Sequence, residues 1–355
     1  MIDTVLSAKP TPTILDVAAM AGVSHQTVSR VLNGQAYVSE ETLRKVNEAI
    51  AILGYRRNLT ARALVTGNTR IIGTLVTYAS MTGPSGALLA IERTARSRGY
   101  WLSMVGLQSN DPDEVVEVIS HFKVQGVDGI IAVAQTQVCV DTTLEASAGM
   151  PLVLVTSGAV AAGHPTVDID QYGAAERLVM MLRDLGHTRI AHISGPTGDL
   201  HGDVRVAAWR DTLPAGQSPE ELQVEGDWSS ASGYTAAASL LALDTPPTAI
   251  FAGNDQMAIG ALRTLHERDI KVPDEISVVG FDNIVGADYS IPPLTTIRQN
   301  HDALGFAAME LLLDAIDRKP ARNVKIPGEL IDRASTAPPP AHVPSGWLSK
   351  MRGPK

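Results

Sequence analysis

The sequence predicts a chain of two unlike parts, a small all-α headpiece followed by a larger α/β core. Two observations support this prediction. Residues 13–54 place apolar side chains at helical spacing in three short segments. From Arg70 onward, short apolar segments rich in β-branched residues alternate with helical ones. A chain of 355 residues is long enough for two or three domains.

The first two helices of the headpiece are predicted from their apolar stripes and their ends. In the first, Thr13 is placed to cap the N-terminus, Gly22 ends the helix, and the apolar stripe is Ile14, Val17, Ala18 and Ala21. Ser24 can cap a second helix, whose expected buried residues are Val28, Val31 and Leu32. The remaining face of that helix is polar and carries His25, Gln26, Ser29 and Arg30.

This arrangement predicts a helix-turn-helix, because two short helices are joined by a glycine-containing turn and the second helix fits a DNA major groove. An ordinary helical hairpin with a solvated polar face is the alternative. A third predicted helix begins after Ser39, ends at Gly54, and has the apolar stripe Leu43, Val46, Ala49, Ile50 and Leu53. Three helices in about forty residues suit a minimal DNA-binding headpiece.

The string TILDVAAMAGVSHQTVSRVLNG at 13–34, the Gly54-Tyr55 turn and the Asn58–Gly67 segment closely resemble the LacI family of bacterial transcriptional repressors. The resemblance implies that residues 1–57 are the headpiece and that 58–69 form a hinge helix. In the family this helix pairs with its dimer mate in the minor groove, where Leu64 matches the leucine that wedges a base step. A helix this short is marginal alone, and an ordinary flexible linker is the alternative.

We therefore expect the chain to bind a pseudo-palindromic operator in double-stranded DNA as a homodimer. Gln26 and Arg30 suit adenine and guanine respectively, and His25 lies near them on the same helix. Short polar side chains are better suited to phosphate contacts that set the register. The predicted DNA-binding residues are Thr13, Ser24, His25, Gln26, Thr27, Ser29, Arg30, Asn33, Asn58, Ala61 and Leu64.

In the core, short apolar strands spaced by helices indicate parallel sheets that are covered on both faces. The predicted strands are 71–76, 101–106, 129–134, 152–157, 190–195, 249–254 and 276–281. The spacing and the C-terminal return resemble two Rossmann-like subdomains, as in periplasmic sugar-binding proteins and LacI-family cores. The predicted core is 70–337, with an N-subdomain at about 70–167 and 299–326, a C-subdomain at about 168–298, and a Pro-rich flexible tail at 338–355.

In such folds a ligand binds beyond the carboxyl ends of the strands, between the subdomains. Asn254 and Asp282 each end a predicted strand, Arg205 follows another, and Trp228 begins a βα unit. Amide, carboxylate and guanidinium groups can bind sugar hydroxyls, while an indole stacks on the apolar face of a pyranose. Taken singly, each residue has another explanation: a surface ion pair, a turn acid or a core aromatic.

The strings VEGDWS, NDQMAIGA, ISVVGFD and IPPLTTI resemble the galactoside-responsive repressors of the family. That resemblance implies a ligand site made of Pro84, Thr156, Arg205, Trp228, Asn254, Asp282 and Gln299. Three positions depart from the pattern, since Thr156 replaces an aspartate, His201 a serine and Val167 an aromatic residue. The resemblance therefore implies a retained second-subdomain side of the pocket and a changed selectivity toward the rest of the ligand.

Charge and composition restrict the class of protein further. Residues 1–66 have a net charge of +2, and the remainder has a net charge of −11. This difference suits a headpiece that faces the DNA phosphates and a core that does not. The lone Cys139 fits a reducing compartment. We find no signal peptide and no apolar stretch of about 18 residues, so we expect a cytoplasmic protein without a membrane partner.

The sequence therefore predicts a transcriptional repressor of a carbohydrate operon, released from its operator by a sugar inducer, with a galactoside as the expected inducer. The main alternative is a family member that responds to another sugar or to a purine-type corepressor, because an indole also stacks on a purine. No nucleotide-binding, nucleophile-elbow or metalloprotease motif occurs, so we predict no enzyme, cofactor or metal site. A C-terminus without leucine heptads favours a dimer over a tetramer.

Overall fold

A computed structural model describes residues 12–32, 38–56, 67–78, 81–158 and 163–341 of the chain. The chain divides into two compact units, Met1–Thr69 and Arg70–Lys355. The predicted residues Asn33, Asn58, Ala61 and Leu64 lie outside the described residues, as does most of the predicted hinge.

The first unit contains three helices in its described part: α1 (Ile14–Ala21), α2 (His25–Leu32) and α3 (Glu40–Leu53). Thr13 and Asp16 form a capping box at the start of α1, and Gly22 ends this helix at φ 67°. The small core of the unit is made of Val17, Ala18, Ala21, Val28, Val46 and Ala49. Apolar residues at helical spacing therefore pack the three helices against one another. Leu43, which the sequence places in the apolar stripe of α3, is 43 % exposed and does not belong to this core.

The second unit is built on two parallel sheets. The first has the strand order β11-β5-β4-β3-β1-β2, and the second has the order β7-β6-β8-β9. The strands of the first sheet are β1 (Ile71–Thr77), β2 (Trp101–Leu107), β3 (Gly129–Val133), β4 (Leu152–Val155), β5 (Thr166–Ile169) and β11 (Asn323–Ile326). Those of the second sheet are β6 (Ile190–Ser194), β7 (Gln223–Glu225), β8 (Ala249–Ala252) and β9 (Ser277–Val279).

Helices cover both faces of these sheets, which explains why the strands are apolar on both sides. In β3, Ile131 and Val133 contribute to one core, whereas Ile130 contributes to the core on the opposite face. The helices are α4 (Thr82–Ser97), α5 (Pro112–Gln125), α6 (Gln137–Ala146), α7 (Gln171–Asp184), α8 (Leu200–Thr212), α9 (Pro219–Leu222), α10 (Ser230–Leu241), α11 (Asp255–Glu267) and α12 (His301–Ile316). The fold class predicted from the sequence is confirmed.

The chain passes between the two sheets at three places, after β5, before α12 and after β11. A short antiparallel pair, β10 (Thr296–Arg298) and β12 (Glu329–Ile331), joins two of these crossings. We call the part built on the first sheet the first subdomain and the part built on the second sheet the second subdomain. β5 runs to Ile169, two residues past the predicted end of the N-subdomain at 167.

Candidate functional site

The exposed face of α2 is the candidate DNA-reading surface of the first unit. His25, Gln26 and Arg30 are exposed, whereas Val28 is fully buried and anchors the helix to the small core. Ser24 Oγ accepts a hydrogen bond from the Thr27 backbone N–H at 3.1 Å, so it caps the helix. The reading side chains therefore project from a helix whose opposite face and first turn are fixed.

Three predicted DNA-contacting side chains, Thr13, Ser24 and Thr27, already have intramolecular partners. Thr13 Oγ1 donates to Asp16 Oδ2 at 2.8 Å, and the Ser24 and Thr27 hydroxyls lie 3.0 Å apart. The backbone and side-chain hydrogen bonds of Thr13 lower the pKa of Asp16, which keeps this carboxylate charged at the helix N-terminus. These side chains hold the ends of the helices, and any phosphate contact would come in addition.

A cavity of about 290 Å³ lies in the second unit at the carboxyl ends of both sheets. Both subdomains line it, with Pro84, Val133 and Val155 on the first side and Trp228, Asn254 and Asp282 on the second. Further polar lining residues are Thr82, Gln135, Asp168, Gln171, Asp199, His201, Arg205, Asp227, Ser229, Gln256, Gln299 and His301. This is the position at which open parallel sheets bind ligands.

Four side chains of the cavity form a closed ring of polar contacts. Arg205 Nε donates to Gln171 Oε1 at 2.9 Å, and Gln171 Nε2 donates to Gln299 Oε1 at 3.1 Å. Gln299 Nε2 in turn donates to Asp282 Oδ1 at 2.6 Å, and the same oxygen lies 3.8 Å from Arg205 Nη2. The ring orients the donors and acceptors of its four members before any ligand arrives.

Arg205 is held on several sides at once. Its guanidinium carbon lies 3.7 Å from the centre of the Phe281 ring and 5.6 Å from that of Trp228. Its Nη1 donates to the carbonyl of Gly253. The residue is only 5 % exposed, so a planar cation is fixed between two aromatic rings with its edge toward the ring of polar contacts.

The carboxyl groups of the cavity differ from ordinary surface carboxyls. Burial raises the pKa of Asp282 to about 6, although the neighbouring Arg205 opposes this shift. Burial also raises the pKa of Asp168 to about 7, with the Ser157 hydroxyl bond opposing it. Burial lowers the pKa of His201 to about 3. Among the described lining residues, Arg205 is therefore the main positive group in a cavity that holds several acids.

Trp228 lies against three glycines at the wall of the second subdomain. A Cβ on Gly195 would come within 2.0 Å of Trp228 Cζ2, and one on Gly202 or Gly253 within 3.2 Å of the indole. Asn254 Nδ2 donates to the Trp228 carbonyl at 3.0 Å, while Asn254 Oδ1 caps α11 at the Met257 N–H. Trp228 itself adopts φ 70°, an unusual value for a large residue, so the position of its ring is closely determined.

Six of the seven predicted ligand-binding residues line the cavity: Pro84, Arg205, Trp228, Asn254, Asp282 and Gln299. Thr156 does not. It is 1 % exposed, and it follows Val155, which does line the cavity, so the alternation of a strand directs its side chain to the other face. Of the other departures, His201 lines the cavity, whereas Val167 belongs to the core of the first subdomain.

The structure also brings residues to the cavity that the sequence reasoning missed. Gln135 lies two residues after β3, Asp168 lies in β5, and Gln171 begins α7. A polar residue at the carboxyl end of a predicted strand was the available signal for Gln135. No such signal existed for Asp168, because β5 itself was not predicted.

Among the described residues, hydrogen bonds of α11 and α8 join the subdomains across the cleft. Gln256 Nε2 of α11 donates to Thr82 Oγ1 of α4 at 2.7 Å. The backbone N–H of Leu200, at the start of α8, donates to the carbonyl of Gln135 at 2.8 Å. These contacts connect elements of different sheets, so a movement of one subdomain against the other would have to break or remake them.

Within the described ranges, no group of three or more His, Cys, Asp or Glu side chains has a metal-binding arrangement. The thiol of Cys139 is buried, and burial raises its pKa to about 11, which leaves it unreactive. No helix in this part of the chain is long and apolar enough to cross a bilayer.

Comparison with known sequences finds two families. Residues 13–58 match the bacterial regulatory proteins of the lacI family, and residues 179–336 match the periplasmic binding protein-like domain. The HTH-type transcriptional repressor PurR of Klebsiella pneumoniae (strain 342) is 34 % identical over 338 residues, covering 92 % of this chain and 98 % of the relative. The protein of the same name from Mannheimia succiniciproducens is 33 % identical over 335 residues, covering 91 % of this chain and 98 % of that relative.

Solved structures give the same result. The lac repressor dimer bound to operator and the anti-inducer ONPF is similar with a TM-score of 0.82 and 30 % identity, covering 92 % of this chain and 99 % of that one. The complex of the transcriptional regulator CelR with cellobiose is similar with a TM-score of 0.69 and 29 % identity, covering 91 % and 99 %. Both comparisons extend over the headpiece as well as the core.

Proposed function

Because this chain belongs to the LacI family of bacterial regulatory proteins and is a DNA-binding transcriptional repressor, we propose that a small neutral sugar bound in its cavity controls its affinity for DNA. The main support is the closed ring of Arg205, Gln171, Gln299 and Asp282 beside the indole of Trp228. Planar hydrogen-bonding groups next to an aromatic face suit the hydroxyl edge and the apolar face of one pyranose.

A galactoside is our first choice of effector, and we place it between the two subdomains. The lac repressor has been solved with ONPG bound and CelR with cellobiose, so similar proteins take glycosides. A purine-type corepressor is the alternative, because the Trp228 ring could stack on a purine as well as on a sugar. The cavity acids argue against a strongly anionic ligand such as a sugar phosphate, since it would meet Asp168, Asp199 and Asp282.

On DNA, the protein acts as a homodimer in the cytoplasm, and each headpiece places α2 in a major groove of the operator. Gln26 and Arg30 read bases, with His25 beside them, and Ser24, Thr27, Ser29 and Asn33 contact phosphates. Thr13, Asn58, Ala61 and Leu64 complete the DNA surface, with Leu64 as the wedge in the minor groove. The protein works by binding alone and catalyses no reaction.

A ligand panel on the purified full-length protein tests the choice of effector. We would measure the melting midpoint with millimolar isopropyl β-thiogalactoside, cellobiose and hypoxanthine. A ligand at a hundred times its Kd adds about 2.7 kcal/mol of stability. We expect the galactoside to raise the midpoint in the wild type and to lose most of this effect in Arg205→Lys, which cannot keep the planar fork.

The control is Arg263→Lys, since Arg263 forms an ordinary surface pair with Glu267 at 2.7 Å. This variant should respond to the ligand as the wild type does. A midpoint shift with hypoxanthine alone would favour the corepressor alternative. A galactoside shift that Arg205→Lys leaves unchanged would place the sugar elsewhere.

A further inference from the structure

Gln135 is fixed through its backbone from both sides of the cleft. Its N–H donates to Thr77 Oγ1 at 3.3 Å within the first subdomain. Its carbonyl accepts from the Leu200 N–H of the second subdomain at 2.8 Å. The residue is 4 % exposed and lines the cavity.

The side-chain carbonyl of Gln135 has no hydrogen-bond partner among the described residues, although it is buried. Buried polar atoms are almost always paired, and an unpaired one destabilises the folded state. An acceptor left open at the wall of a ligand cavity has a direct explanation, since the missing donor arrives with the ligand. A polar site that is built before binding loses less entropy when the ligand arrives.

Thr156 provides an instructive comparison one strand away. Its Oγ1 is also buried without a partner, but the residue does not line the cavity. The same defect therefore occurs at Gln135, which lines the cavity, and at Thr156, which does not. A comparison of these two residues therefore separates the effect of an unpaired polar atom on stability from the effect of a ligand contact on affinity.

The neighbouring groups restrict the chemistry of the missing donor. Asp168 also lines this part of the first-subdomain wall with an acceptor side chain. It accepts a hydrogen bond from the Ser157 hydroxyl. Val133 and Val155 provide an apolar surface between the two. A neutral ligand that presents a hydroxyl from an otherwise apolar edge fits this wall, whereas an acceptor such as a phosphate or carboxylate oxygen does not.

We propose that Gln135 Oε1 accepts a hydrogen bond from a hydroxyl of the effector, and that Gln135, in place of Thr156, is the specificity-determining contact of the first subdomain. The inference rests on the proposed function, because it assumes that the effector occupies this cavity. It predicts that the effector carries a hydroxyl on the edge that faces away from Trp228 and Arg205.

The test uses full-length Gln135→Met, which keeps the length of the side chain but removes the open acceptor, with Thr156→Val as the matched control. Two quantities are measured for each protein: the melting midpoint without ligand, and the calorimetric Kd for isopropyl β-thiogalactoside and for cellobiose. Both variants should melt above the wild type, because each removes a buried unpaired oxygen. Only Gln135→Met should bind the sugar more weakly, by about tenfold or more.

A Gln135→Met protein that melts below the wild type, or that keeps its sugar Kd within about twofold, would overturn the inference. If neither sugar binds the wild type, the proposed sugar effector fails, and the ligand-free midpoint of Gln135→Met still decides whether the acceptor is open. If only hypoxanthine binds, its Kd is measured instead. A weaker affinity for hypoxanthine in Gln135→Met would then keep Gln135 as a ligand contact but overturn the assignment of a hydroxyl as its donor. An unchanged affinity for hypoxanthine would overturn both the contact and the hydroxyl.

Discussion

Individual side chains around the cavity are kept in states that ordinary surface groups do not adopt. Burial raises the pKa of Asp168 and Asp255 to about 7 and that of Asp282 to about 6. The folded protein therefore binds more protons than the unfolded chain between about pH 4 and pH 7. Stability from these groups is greatest below the unfolded pKa and falls as the pH rises through the folded pKa.

Asp168→Asn tests this consequence. Asparagine keeps an oxygen for the Ser157 hydroxyl but removes the charge that burial disfavours. We expect the variant to melt above the wild type at pH 8, with the difference shrinking toward pH 4. Thermal unfolding at several pH values provides the measurement, with the exposed Asp274→Asn as the control. A difference between Asp168→Asn and the wild type that does not change with pH would contradict the account.

A second prediction at the scale of single residues concerns the headpiece. Gln26 is exposed on α2, and a bidentate amide contact to adenine discriminates by about 1–3 kcal/mol. Gln26→Ala should therefore lose discrimination at one position of each half-site, measured by competition among duplexes with single substitutions. Asn47→Ala, an equivalent change on the exposed face of α3, should keep the preference of the wild type. Full discrimination in Gln26→Ala would remove this residue from base reading.

At the scale of elements, the apolar runs of the sequence predicted the strands that are buried on both faces. Strands β5, β7, β11 and β12 were not predicted, because their sequences lack a continuous apolar run. β5 includes the charged Asp168, and β7 and β12 have only three residues each. Burial of a polar residue depends on neighbours that are distant in the chain, such as Ser157, and a local pattern does not contain them. Asp168 was missed for that reason, whereas Arg205 and Trp228 came from longer motifs.

A further prediction concerns the turn after β6. Gly195 faces the Trp228 ring so closely that a methyl group would lie 2.0 Å from Cζ2. Gly195→Ala should push the indole from its place and weaken sugar binding by tenfold or more, which calorimetry would measure. Gly286→Ala is the control, because its Cβ would meet open space and its φ is −82°. Equal sugar affinity in the two variants would show that the position of the indole does not matter.

At the scale of the whole molecule, the chain crosses between the subdomains at three places, and the ring of polar contacts involves two of these crossings. Gln299 lies in one crossing and Gln171 directly follows another, so two members of that ring belong to the segments that would bend. A ligand that prefers one arrangement of the subdomains would shift the population toward it. If DNA prefers the other arrangement, sugar and operator must weaken each other by the same factor.

The measurement that tests this account most directly is the affinity of the full-length protein for DNA with and without sugar. A duplex that binds tightly would first be selected from a random pool, and its Kd then measured by fluorescence anisotropy at rising concentrations of isopropyl β-thiogalactoside. We expect the Kd for DNA to rise by about 5- to 150-fold at saturation, with the sugar Kd rising by the same factor when DNA is bound. A Kd for DNA that is equal without sugar and at saturating sugar would contradict the account.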